Sequence, residues 1–138
     1  LNKSENLQIV KFKNALQRMR SFKTEENPIL KLTKEFALGI IDYCARLEEL
    51  RKYPLATQLF KSGTSIGANA HEAQHAESKA DFIHKFKIAA KEMYETAYWL
   101  ELCSQSEHLP DCKELIAQLT VIEKVINKII ASSKKIEG

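Results

Sequence analysis

The stretch SKADFIHKFKIAAKEMYETAYWLELCSQS, residues 78–106, carries the clearest structural pattern in the chain. Phe82, Phe86, Ala89, Met93, Ala97, Leu100 and Cys103 return every three or four positions along it. That is the period of one helix face and not of a strand. No Gly or Pro interrupts the run. Ser78 followed by Asp81 has the spacing of a capping box, with Asp in place of the usual Glu. One long helix is therefore expected from about Ser78 to about Ser106.

Reading outward from it, the same period returns on both sides. Downstream, Leu109-Pro110-Asp111 is a break, and Asp111 and Glu114 have cap-and-N3 spacing. Leu115, Leu119, Ile122, Ile126 and Ile129 then repeat at 4–3–4–3 to about Ser132. Upstream, Asn27-Pro28 opens a helix, because Asn accepts from free N–H groups and Pro loses nothing in a first turn. Phe36, Ile40, Tyr43, Leu47 and Leu50 carry its seam to about Arg51. Tyr53-Pro54 interrupts it. A further helix, about Pro54 to about Ala76, turns Leu55, Leu59, Ile66, Ala70 and Ala73 inward. Its middle holds Gly63 and Gly67 one turn apart, each costing about 1 kcal/mol against Ala in a helix. Close helix packing through small residues, a ligand contact and a local break would each account for that cost, and packing is the simplest.

Residues 1–27 contain a candidate amphipathic helix over 4–23, capped by Ser4, with Ile9, Phe12, Leu16 and Met19 on one side. The formal charge of the chain is +3, and this arm carries all of it: six basic against three acidic side chains, with fifteen of each in residues 28–138. The architecture expected is all-α. Short connections between long helices imply an antiparallel up-down four-helix bundle over 28–132, with an N-terminal basic helical arm over 1–27 and a polar tail over 133–138.

Composition narrows the function classes. The mild charge excess permits contact with phosphate or acidic protein without demanding it. Cys44, Cys103 and Cys112 form no C-x-x-C pair, and a reducing compartment, the cytoplasm, is expected. No apolar run reaches the length of a membrane span. No nucleophile triad, P-loop or dinucleotide motif occurs, so no catalytic residue, cofactor or small-molecule substrate is assigned.

The run QLFKSGTSIGAN, residues 58–69, leads into Glu72-Ala73 and is followed by SKADFIHK, residues 78–85. Ile88-Ala89, Lys91-Glu92, Glu95-Thr96 and Tyr98-Trp99-Leu100 come after. Together these resemble the bacterial four-helix bundle proteins first noticed as open reading frames in intervening sequences of 23S ribosomal RNA genes. The resemblance spans residues 32–130. It implies a small bundle, often a ring-shaped homopentamer. A related branch, the accessory variability proteins of diversity-generating retroelements, binds a reverse transcriptase and nucleic acid. Lys61 stands where that family commonly has Arg, which exchanges a bidentate donor for a point charge. Residues 1–27 exceed the usual lead-in, and the resemblance does not extend to them.

Several side chains carry the candidate chemistry. Glu72 and His75 have the E-x-x-H spacing of di-iron bundles, Asp81 and His84 echo it, and His71 lies a turn from His75. Other helices offer no acid on an apolar seam to complete such a site, so surface polar residues near a loop are the better reading and no metal is assigned. Asn69, Glu72, Glu92 and Glu95 lie beside the inner stripes and are expected in a polar network between the second and third bundle helices, or at a subunit interface. Tyr94, Tyr98 and Trp99 are candidate contact aromatics between copies. Lys11, Lys13, Arg18, Arg20, Lys61 and Lys85 are the candidate contacts to RNA or DNA. The leading expectation is a non-enzymatic homo-oligomeric assembly protein. The alternative is a nucleic-acid-binding accessory factor.

Overall fold

The computed structural model describes the backbone of residues 2–137 and the side chains of residues 2–17 and 27–135. Five helices follow one another: α1 (Lys3–Glu26), α2 (Pro28–Glu49), α3 (Tyr53–Ala73), α4 (Lys79–Gln105) and α5 (Lys113–Glu137). The described residues contain no strand.

Helices α2 to α5 pack in ring order, each against two of the others, whereas among the described residues α1 contacts α2 alone. Every neighbouring pair in the ring runs antiparallel. Gly63 faces Ile40 and Gly67 faces Thr33, so α3 ascends as α2 descends. Lys85 near the start of α4 reaches Glu72 near the end of α3. The Cys112 thiol, just ahead of α5, donates to the Leu100 carbonyl at 3.5 Å. The Tyr43 hydroxyl donates to the Pro110 carbonyl at 2.8 Å, tying the second half of α2 to the entry of α5.

The core lies between these four helices. Phe36, Ile40, Leu47, Leu59, Ile66, Phe86, Met93, Leu100, Ile122 and Ile126 are fully buried. Each such side chain contributes roughly 1.5–3 kcal/mol by leaving water. Three hydroxyls share this interior and bond within their own helices. Thr33 donates to the Ile29 carbonyl at 2.8 Å, Ser62 to Leu59 at 3.5 Å and Thr96 to Glu92 at 2.7 Å.

Several local details depart from the sequence reading. The cap of α1 is Asn2 and not Ser4: the Glu5 N–H donates to Asn2 Oδ1 at 2.8 Å, and the Asn2 N–H reaches Glu5 Oε2 at 3.4 Å. Asn27 makes no side-chain cap, because its amide is drawn across to Gln74 Oε1 at 3.2 Å. On α4, Ala97 is exposed and Thr96 takes the buried position. A seam that drifts around a long helix shifts the inward position by one residue. α5 runs on through the expected tail to Glu137, with Ser133 donating to the Ile129 carbonyl at 2.8 Å. Ser78 does cap α4, accepting from the Asp81 N–H at 3.0 Å.

The α2–α3 connection holds a feature that sequence patterning did not flag. The Lys52 N–H bonds the Leu47 carbonyl at 2.9 Å and the Arg51 N–H bonds the Glu48 carbonyl at 2.8 Å. This is a Schellman ending. Its left-handed position is Arg51, at φ 61°.

Candidate functional site

The α4 helix presents opposite faces to core and solvent. Its inward face packs Phe86, Ala89, Met93, Thr96, Leu100 and Cys103. Its outward face repeats at four-residue steps through Tyr94 (53% exposed), Tyr98 (55%) and Leu102 (40%). Residues four apart stack on one side of a helix, so the three form a stripe. Trp99 sits beside it, half-buried and packed on the core, with its ring 5.3 Å from that of Tyr98 in an edge-on arrangement. The Trp99 Nε1 is buried and has no hydrogen-bond partner among the described residues. On another side of α4, Ala97, Glu101 and Ser104 meet Ile116, Leu119 and Thr120 of α5 around a cleft of about 210 Å3.

The four polar residues expected in a network do not form one. Asn69 spends its amide locally, donating to the Ser65 carbonyl at 2.8 Å. Glu72 crosses the helix pair, but on the surface, where Lys85 Nζ lies 3.3 Å from its Oε2. No hydrogen bond joins Glu92 or Glu95 to the facing helix among the described residues; Glu92 is half-buried and Glu95 is exposed. In a helix, short polar side chains reach their own preceding carbonyls more easily than a neighbour's atoms.

The small residues have a defined geometry. A Cβ on Gly63 would lie 2.8 Å and 2.9 Å from Ile40 Cγ1 and Cγ2. One on Gly67 would lie 3.1 Å from Thr33 Oγ1 and 3.2 Å from its Cβ. Gly39, which the sequence pattern did not mark, brings α2 onto α5, where a Cβ would meet Leu115 Cδ2 at 2.9 Å.

The basic candidates are scattered. Lys11 and Lys13 are exposed on α1, Lys61 is exposed on α3, and Lys85 is the partner of Glu72. The side chains of Arg18 and Arg20 lie outside the described residues. His71 Nδ1 is 2.9 Å from the Gly67 carbonyl, and His75 and His84 are exposed. No three His, Cys, Asp or Glu side chains converge as metal ligands would among the described residues.

Sequence reasoning also missed a cluster at the α4–α5 end. Tyr43, Cys44, Cys103 and Cys112 are all buried there, and the thiols are free. Burial, with Cys103 close by, pushes the Cys44 thiol up to about 12. Burial likewise raises Cys103, Cys112 and Tyr43. A raised thiol pKa leaves less of the nucleophilic, metal-binding thiolate, which disfavours reaction at these cysteines and suits a packing role. The advance signals were two seam residues, Cys103 and Tyr43, the latter with a hydroxyl that had to find an acceptor.

Residues 25–128, which take in α2, α3, α4 and most of α5, match the family model of the 23S rRNA-intervening sequence protein. The chain is also similar to a protein of known crystal structure from Bacteroides thetaiotaomicron VPI-5482, described as of unknown function and from the S23 ribosomal protein family. The two are 39% identical with a TM-score of 0.71, over 74% of this chain and 97% of that one. None of the curated proteins compared with the chain matches it.

Proposed function

The chain belongs to the 23S rRNA-intervening sequence protein family, and from that premise we propose that it is a non-enzymatic, homo-oligomeric assembly protein. In this reading α2 to α5 are the four-helix bundle and α1 is its arm. The observation that carries it is the exposed Tyr94–Tyr98–Leu102 stripe on α4. Tyrosines at helical spacing offer large contact area at little entropic cost, and apolar patches on a surface mark sites of association. The buried, unpaired Trp99 N–H beside that stripe supports the same reading, since a neighbouring copy can supply an acceptor. A pentamer is the state the family resemblance suggests, and the cytoplasm is its expected location. No described helix is long and apolar enough to cross a membrane.

Multi-angle light scattering at micromolar concentration tests this. The expected mass is five times the 15.8 kDa of one chain. Tyr94→Ser combined with Tyr98→Ser should reduce it to one chain, because buried interface aromatics commonly contribute about 2 kcal/mol or more each. A wild-type protein that stays monomeric would remove the proposal.

A further inference from the structure

We draw no further inference here: the strongest candidate, the patch of exposed lysines on the first half of α4 (Lys87 and Lys91) and the second half of α5 (Lys124, Lys128, Lys134 and Lys135), restates the nucleic-acid contact that the family resemblance already implies, and nothing in the structure shows what covers it.

Discussion

Replacing Gly63 with Ala should destabilise the protein, although it adds a better helix former. Removing a helical glycine is worth about 1 kcal/mol in propensity. Against this stands the geometry: the new methyl would lie 2.8 Å from Ile40 Cγ1, 2.9 Å from Cγ2 and 3.1 Å from Cδ1. Two of these atoms are attached to Cβ, where a β-branched side chain in a helix has little χ1 freedom. Ile40 is fully buried, so relief must come from moving α2 and α3 apart. Overpacking of this kind costs about 1–3 kcal/mol. The net expectation is a loss of about 1–2 kcal/mol, read from urea unfolding followed by circular dichroism. The decisive step is the same substitution in an Ile40→Ala background. That change removes all three clashing carbons, at its own cost of about 2–5 kcal/mol. There Gly63→Ala should stabilise by about 1 kcal/mol. A stabilising effect in the wild-type background, or no change of sign between backgrounds, would refute the packing argument.

Other expectations follow from single contacts. Arg51→Gly should raise stability by about 0.5–1 kcal/mol in the same assay, because a left-handed non-glycine residue costs about 1–2 kcal/mol and the added chain entropy offsets part of the gain. Tyr43→Phe should lower it by about 1 kcal/mol through loss of the bond to the Pro110 carbonyl. The Cys44 thiol rises from 9.0 to about 12 on folding, so above pH 9 the unfolded chain releases a proton that the folded chain keeps. Its contribution is intact below that pH and is lost as pH climbs toward 12, by up to about 1.4 kcal/mol per pH unit. Urea midpoints across that window should fall less steeply for Cys44→Ala than for wild type. Native protein at pH 8 should leave all three cysteines unmodified by Ellman's reagent, and unfolded protein should expose them.

Whatever depends on neighbours within a turn or two can be read directly along the chain. The three- and four-residue recurrence of Phe36, Ile40, Tyr43 and Leu47, or of Leu115, Leu119, Ile122 and Ile126, specifies helices and their buried sides. Asn27-Pro28, Tyr53-Pro54 and Ser78–Asp81 mark where helices begin. Even the family is legible there, in the motifs from Gln58 to Leu100. How each helix is rotated against the next emerges from the packing of the whole chain. That rotation sets Gly39 on Leu115, sends Asn27 to Gln74 and not to its own helix, and exchanges Ala97 for Thr96 in the core. It also confines Asn69 to a local bond while Glu72 reaches Lys85, and gathers Tyr43 with three thiols drawn from α2, α4 and the entry of α5. Periodicity records the angle of a side chain about its own helix axis. Which partner it meets depends on the distance and register between axes, and those are set by the packing of residues far apart in the chain.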